Sequence, residues 1–141
     1  MLKTATSNET QIFVSPYIDK ASQLIFRGRQ YKCSIGYNGA KLKKREGDGT
    51  TPVGNFLIRK ILYRPDRIDR PISKLPTKAL SPIDAWCDDP SHDEYNRMVK
   101  LPFSGSYELL WRKDNLYDVI LVIGYNDNPA RVPYGSAIFM H

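Results

Sequence analysis

Short hydrophobic runs alternate along the chain with stretches of polar residues, proline and glycine, and long helical periodicity is absent. The runs are rich in isoleucine, leucine, valine, phenylalanine and tyrosine, residues that favour strands. They predict β-strands at residues 11–16, 24–27, 29–35, 55–63, 117–124 and 135–141. Because proline and glycine fall mostly between the runs, the pattern indicates a mostly-β protein with minor α content.

The two runs on either side of Gly28 predict a hairpin. In its second arm Tyr31, Cys33 and Ile35 alternate with polar residues, so one face of the arm is expected to be buried. The same alternation predicts that Cys33 is a small buried hydrophobic residue.

Two longer stretches complete the pattern. Residues 117–124 are the most apolar, which predicts a central strand covered on both faces, with residues 135–141 as its partner. Residues 65–106 show weak periodicity and contain six prolines, so they predict a structureless insertion that lines a groove.

Length and composition predict one globular domain over residues 1–141, because 41% of the residues are hydrophobic and 26% are charged. No apolar run is long enough to span a membrane. No hydrophobic segment follows Lys3 as a signal peptide would require, which leaves a cytoplasmic location open. Two cysteines, Cys33 and Cys87, permit at most one disulfide and leave its formation open.

Charge is unevenly distributed along the chain. Residues 1–70 carry fourteen basic and six acidic side chains, whereas residues 71–141 carry seven and nine. A basic half can bind nucleic acid or anionic polymers of the cell envelope. A solvated surface is the favoured interpretation, and a nucleic-acid partner is not expected, because aromatic residues are not interleaved with the cations.

The first candidate for chemistry is the glycine-rich segment at residues 44–54, between two predicted strands. Its glycines permit a positive φ and close backbone approach, which suits either a tight turn or a bound phosphate. Its lysine precedes the glycines and no helix pattern follows, so the segment matches neither a Walker loop nor a dinucleotide fingerprint.

The second candidate is the segment at residues 86–96, which contains Cys87, His92 and three aspartates. A metal cluster and a thiolate–imidazole pair are both alternatives. The spacing matches no standard zinc pattern, and nothing in the sequence orients the imidazole. Asx turns are therefore the favoured interpretation, and no metal is expected.

The third candidate is the chain end, where a polar loop at residues 124–134 leads into the last predicted strand and then to His141. A strand is a rigid element that can aim an imidazole into a cleft. From the residues alone, a frayed and solvated terminus is the alternative.

Several of these segments, in this order, resemble the short, signal-less branch of the L,D-transpeptidase (YkuD-type) catalytic domain family. They are residues 44–49, 51–54, 86–90, 95–96, 124–127 and 135–141. The resemblance covers residues 22–141 and implies a curved mixed sheet or sandwich with long loops, incomplete at the C-terminus. In such domains a Thr-Pro-x-Gly hairpin precedes the catalytic strand, a histidine closes that strand, and a Gly-Cys pair follows a short loop later.

The resemblance implies that His141 is the general base of a peptidoglycan transpeptidase, a transferase that needs no cofactor. Neither Cys33 nor Cys87 occupies the family's nucleophile position, and the sequence stops at His141. We therefore expect this chain to be inactive, because the thiolate is the attacking group.

The loop before the last strand supplies the predicted substrate contacts, Tyr125, Asn126 and Arg131. Arg131 is suited to bidentate pairing with a stem-peptide carboxylate. Ordinary turn and surface positions are the alternative for all three residues.

The family implies peptidoglycan stem peptides as partners, and the periplasm or cell envelope as the location. Ile138 and Phe139 are expected to lie beside an uncovered edge, which predicts self-association. The rival hypothesis is a non-catalytic remnant or binding module for peptidoglycan or another anionic polymer.

Overall fold

A computed structural model describes residues 11–16, 22–42 and 45–141 of the protein. The chain divides into two compact units. The first consists of residues 1–41 and 49–51, and the second of residues 42–48 and 52–141. The described part of the chain contains no helix long and apolar enough to cross a membrane.

Twelve strands form the secondary structure of the described residues, which contain no helix. The strands are β1 (Ile12–Ser15), β2 (Gln23–Phe26), β3 (Arg29–Lys32), β4 (Ala40–Lys41), β5 (Thr51–Pro52), β6 (Ile58–Tyr63), β7 (Thr77–Ala79), β8 (Asp84–Cys87), β9 (Met98–Lys100), β10 (Tyr107–Leu109), β11 (Val119–Ile123) and β12 (Phe139–Met140). The mostly-β prediction is therefore confirmed.

The first unit contains an antiparallel sheet in the order β1-β2-β3. Arg27 and Gly28, at φ 48° and 73°, form the two-residue turn between β2 and β3, which confirms the predicted hairpin. The prediction that one face of the second arm is buried is wrong. All four residues of β3 are exposed, and Tyr31 is 48% exposed. Cys33 is only half-buried, because the described residues of this sheet supply little apolar cover.

The second unit contains two sheets. One is a mixed sheet in the order β12-β11-β6-β7, in which only the β6–β7 pair is parallel. The other is antiparallel, in the order β10-β8-β9. β11 lies inside the mixed sheet as predicted. Of its two faces, only the one that carries Ile120 and Val122 is fully buried.

The largest hydrophobic cluster of the second unit joins the two sheets. Its buried members are Leu62, Leu80, Trp86, Leu110, Tyr117, Ile120 and Val122. A smaller cluster contains Ala85, Cys87 and Val99. β8 is buried along its whole length, because consecutive side chains of a strand point to opposite faces and each face packs into one cluster.

The prediction of a structureless insertion at residues 65–106 is wrong. This stretch contains β7, β8 and β9, and β8 is the most completely buried strand of the protein's described part. Its prolines fall between the strands: Pro76 precedes β7, Pro82 precedes β8, and Pro90 follows β8. The strands have only three or four residues each, too few to show clear periodicity in the sequence.

Candidate active site

The last strand determines where His141 lies. β12 pairs with β11 so that Phe139 lies opposite Val122. The amide of Ile123 also donates a hydrogen bond to the carbonyl of Ile138, at 3.0 Å. This pairing confirms the predicted partnership of the last two hydrophobic runs, and it places His141 directly after the end of β12.

Four aromatic side chains lie in succession and end at His141. Trp86 contacts Phe139 edge to face, with ring centroids 5.1 Å apart. Phe139 contacts Tyr117 at 6.0 Å, and Tyr117 contacts the His141 imidazole at 5.0 Å and an interplanar angle of 77°. We call these four side chains the aromatic row. Tyr117 is only 8% exposed, so the exposed imidazole rests on a buried ring.

The carboxylate of Glu108 is hydrogen-bonded to one member of the aromatic row. The Tyr117 hydroxyl donates a hydrogen bond to Oε1 of Glu108. Burial raises the pKa of Glu108, against the opposing effects of this hydrogen bond and of the charges on Arg112 and His141. Burial and the interaction with Glu108 also raise the pKa of Tyr117, so its hydroxyl keeps its proton at neutral pH.

Cys87 does not belong to the aromatic row. Its side chain packs with Ala85 and Val99, on the face of β8 opposite to that of Trp86. Burial raises the pKa of the Cys87 thiol, which disfavours the thiolate. Cys87 is therefore a core residue of the second unit.

Asn96 connects the aromatic row to the loop before β12. Its Oδ1 accepts hydrogen bonds from Nε1 of Trp86 at 2.9 Å and from the amide of Ala137 at 3.1 Å. Its Nδ2 donates to the carbonyls of Tyr125 at 3.1 Å and Asn126 at 2.7 Å. The buried amide thus uses both of its polar atoms to hold this loop against β8.

Left-handed backbone conformations concentrate around the same contacts. Asn96, Asn126 and Ala137 have φ values of 58°, 49° and 52°. Such values are unfavourable for residues other than glycine, and least so for asparagine. The hydrogen bond from the Ala137 amide to Asn96 offsets part of this cost at the start of the segment that leads to His141.

Tyr95 fixes the same segment from another side. Its hydroxyl donates to Oε2 of Glu46 at 2.5 Å and accepts from the amide of Gly135 at 3.0 Å. The amide of Glu46 in turn donates to the carbonyl of Pro133 at 2.7 Å. The glycine-rich segment forms a turn at Gly47, with φ 69°, and this turn presents Glu46 to Tyr95.

Two of the three predicted substrate residues have side chains engaged within the loop. The hydroxyl of Tyr125 donates to the carbonyl of Tyr134 at 2.7 Å. Nδ2 of Asn126 donates to the carbonyls of Arg131 and Gly135, and its Oδ1 accepts from the Arg131 amide at 2.8 Å. The guanidinium of Arg131 is exposed and has no ion-pair partner within residues 11–16, 22–42 and 45–141.

The segment at residues 86–96 forms turns with local hydrogen bonds. Nδ1 of His92 accepts from the amide of Glu94 at 3.0 Å, and its ring packs on Phe103 with centroids 4.5 Å apart. Oδ1 of Asp89 accepts from both the amide and the hydroxyl of Ser91. Among the residues with described positions, no three acidic, histidine or cysteine side chains are grouped as metal ligands.

A shallow cleft of about 300 Å³ lies on the Trp86 side of the mixed sheet. Its lining residues are Arg59, Lys60, Trp86, Asn96, Arg97, Met98, Val122, Ile123 and Asp127. Arg59 is neutralised by Asp127 through a two-point ion pair. The Nζ atom of Lys60 lies 5.8 Å from the centroid of the Trp86 ring. The pKa of Lys60 is lowered by burial and, to a smaller extent, by repulsion from Lys78.

Sequence reasoning missed Tyr117, Glu108 and the hydrogen-bonding role of Asn96. Tyr117 opens a strongly apolar run, which made it look like an ordinary core residue. Glu108 lies in a short strand with no diagnostic neighbour. The adjacent pair of Tyr95 and Asn96 was the available signal, since it belongs to the segments that carry the family resemblance.

Comparison with known protein families matches residues 13–141 to the model of the YkuD L,D-transpeptidase catalytic domain. No curated protein and no solved structure gives a significant match. The family match spans most of the chain and includes the whole second unit with its aromatic row. The chain therefore belongs to the YkuD family of L,D-transpeptidase catalytic domains.

Proposed function

We propose that this domain serves peptidoglycan L,D-transpeptidase-type acyl transfer, with His141 as the general base. The observation that carries the proposal is the placement of His141 at the end of β12, with its exposed imidazole packed on the buried ring of Tyr117. A base on a rigid, well-packed strand end keeps its orientation while one side of the ring faces the reactants.

In this reaction the imidazole takes the proton of a cysteine thiol, and the thiolate attacks a peptide carbonyl of a stem peptide. The tetrahedral intermediate collapses to a thioester and expels D-alanine, which receives a proton from the imidazolium. An amine of a second stem then attacks the thioester and restores the thiol. A free thiol has a pKa near 8.5, so a neighbouring base increases the thiolate fraction at neutral pH.

We infer that residues 1–141 do not perform this transfer by themselves, because neither Cys33 nor Cys87 occupies the position of the family's nucleophile. The thiol that shares a unit with His141 is that of Cys87, which faces the other side of β8 from the aromatic row and is buried. A buried thiol with a raised pKa is a poor nucleophile.

Substrate recognition in this proposal involves the loop before β12. Arg131 binds a stem-peptide carboxylate, a role supported by its exposed guanidinium. Tyr125 and Asn126 contribute by fixing the loop conformation and by presenting their accessible surfaces. Family membership also supports a location in the cell envelope.

The test begins with the gene beyond codon 141. If an in-frame Gly-Cys pair follows shortly, the longer protein is purified and incubated with disaccharide-tetrapeptides, and mass spectrometry measures D-alanine release and cross-linked products. Removal of the base, His141→Ala, is expected to lower the rate by about 10²–10⁴-fold. Replacement of the other histidine, His92→Ala, is the matched control.

Two results contradict the proposal. One is turnover of muropeptides by the purified 141-residue chain. The other is a longer protein that is active and keeps its rate after His141→Ala.

A non-catalytic binding module is a second candidate, favoured by the cations of the cleft. Lys60 and Arg97 line it, and the guanidinium of Arg97 lies 3.9 Å from the Glu94 carboxylate, with both side chains largely exposed. If the domain is a binding module, the 141-residue chain should sediment with purified peptidoglycan. The double variant Lys60→Met, Arg97→Met should then dissociate from peptidoglycan at a lower salt concentration than the wild type does. Equal retention of this variant and of Lys113→Met, an exposed-lysine control, would reject the candidate.

Self-association through β12 is a further part of the proposal. β12 is an edge strand of the mixed sheet, and unpaired strand edges favour pairing between chains. Light scattering on the 141-residue chain is expected to detect dimers or larger species, whereas a monodisperse monomer would exclude this surface.

A further inference from the structure

Tyr117 connects the exposed base to a half-buried acid. The His141 imidazole meets the Tyr117 ring edge to face at 5.0 Å, and the hydroxyl of the same tyrosine donates a hydrogen bond to Glu108. Phe139 packs on Tyr117 from the side of β12, with centroids 6.0 Å apart. The ring that supports the imidazole is therefore fixed both by packing and by a hydrogen bond.

The placement of Glu108 is unusual for a residue that serves packing alone. A carboxylate loses hydration when it is buried, so it is normally paired with a cation or replaced by an apolar residue. The hydrogen-bond donor that the structure gives Glu108 is the Tyr117 hydroxyl, a neutral group. Of the nearby charges, that of Asp88 disfavours the ionised carboxylate and that of Arg112 favours it.

The guanidinium of Arg112, whose charge favours the ionised Glu108, forms a two-point ion pair with Asp114, at 2.8 and 2.5 Å. Arg112 also lies 5.4 Å from the Tyr117 ring. The charge of Glu108 is thus compensated by Arg112 only in part.

We propose that Glu108 and Tyr117 are positioning residues for the His141 base: Tyr117 fixes the plane of the imidazole, and Glu108 fixes Tyr117 through the hydrogen bond from its hydroxyl. This inference rests on the proposed function of His141. Tyr117 contacts the imidazole and Glu108 contacts Tyr117, so both act through the histidine, as an orienting acid acts on a catalytic base.

The test uses the 141-residue chain and needs no catalytic activity. Diethylpyrocarbonate acylates neutral imidazoles, and the chain has only two histidines, so His92 serves as an internal reference. Glu108→Gln is expected to increase the acylation rate of His141 about twofold to fourfold, because it replaces the charge-assisted hydrogen bond to the Tyr117 hydroxyl with a weaker neutral one and loosens the ring that covers one side of the imidazole. The rate of His92 should stay unchanged.

A matched control is Asp69→Asn, which removes an exposed carboxylate and should change neither histidine. The terminal carboxylate of His141 is present in every variant and cancels from the comparison. Proton NMR measures the second effect. The His141 ring protons should show a ring-current shift in the wild type that persists in Tyr117→Phe and disappears in Tyr117→Leu.

The proposal is overturned if Glu108→Gln leaves the ratio of the His141 and His92 rates unchanged while the amide spectrum remains native. It is also overturned if Tyr117→Leu keeps the ring-current shift. Failure of the proposed function would give a different result. The longer protein would then be inactive, while the acylation rates and the ring-current shift of His141 would still be as expected here.

Discussion

The strands of the β1-β2-β3 sheet in the first unit differ in burial from the strands of the second unit. In the β1-β2-β3 sheet no residue of any strand is fully buried, and β3 is exposed along its whole length. In the second unit all four residues of β8 are buried, and Leu62 of β6 has no exposed surface. Isolated small sheets without a covered face are only marginally stable. We infer that the second unit supplies most of the stability of the described protein.

This difference also bears on the proposed role of His141, which lies in the second unit. Tyr117, Asn96 and Tyr95 are buried and hydrogen-bonded, and together they hold the segment that ends at His141. A catalytic base needs a support that does not open locally, and well-packed regions open least often. If stability divides between the two units in this way, a substitution in the second unit should cost more than a matched substitution in the first.

A matched pair of leucine truncations should give the largest contrast. Leu62→Ala removes a fully buried side chain from the main cluster and is expected to lower the free energy of unfolding by about 3–5 kcal/mol. Leu24→Ala acts on the half-buried β2 and should cost about 1 kcal/mol or less. Urea denaturation followed by circular dichroism measures both changes. Similar losses in the two variants would contradict the division of stability.

Replacement of Asn96 should have the next largest effect. Asn96→Ala leaves the indole N–H of Trp86, the amide of Ala137 and two loop carbonyls without their buried partner. Each unsatisfied buried group is costly, so a loss of about 2–4 kcal/mol is expected, together with faster amide hydrogen exchange at Ala137. Asn115→Ala, at an exposed position, should change stability by under about 0.5 kcal/mol.

A moderate effect is expected at the buried end of β8. Asp84 is 1% exposed, and it pairs with Nζ of Lys100 at 3.1 Å and accepts from the amide of Ser81 at 2.8 Å. Burial by itself would raise the pKa of Asp84, but the bonds from Ser81 and Lys100, with the charge of Lys78, outweigh it and lower the pKa. Asp84→Asn should therefore cost about 1–3 kcal/mol at pH 7.

The sign of this shift predicts a pH dependence. A carboxyl group with a lowered folded-state pKa stabilises the protein above its unfolded pKa, near 3.9, and loses that contribution as the pH falls through the folded value. The difference in urea midpoint between wild type and Asp84→Asn should thus shrink between pH 5 and the acid limit. A difference that is constant over this range would indicate a loss of packing instead of charge.

Sequence patterns identified the hairpin around Gly28, the central strand and its pairing with the last run, because each has a clear turn or a long apolar stretch. They could not identify β7, β8 and β9. These strands are short, and β8 is buried on both faces, which removes the alternation of polar and apolar residues that signals a strand.

The residues of the candidate site, like the strands, were predicted only where the local sequence carries a signal. His141 was predicted because the family resemblance gives it a role, and Arg131 was predicted because its guanidinium, on the loop before the last strand, is suited to pairing with a carboxylate. The contact of Tyr117 with Glu108 joins positions nine residues apart, one in the turn before β11 and the other in β10. Only the tertiary structure brings their side chains together, so local patterns carry no signal for the pair.

The smallest predicted effect lies in β3 and completes the comparison. Tyr31 is 48% exposed and lies opposite Leu24 in the β2–β3 ladder, so Tyr31→Thr removes one cross-strand contact and keeps strand propensity. We expect a change of under about 0.5 kcal/mol in urea denaturation. The opposite result, a loss comparable with that of Leu62→Ala, would mean that the first sheet is covered in solution by a surface that binds it. Sedimentation of the wild type at several concentrations would then distinguish a second copy of the chain from cover within one chain, because only pairing between copies depends on concentration.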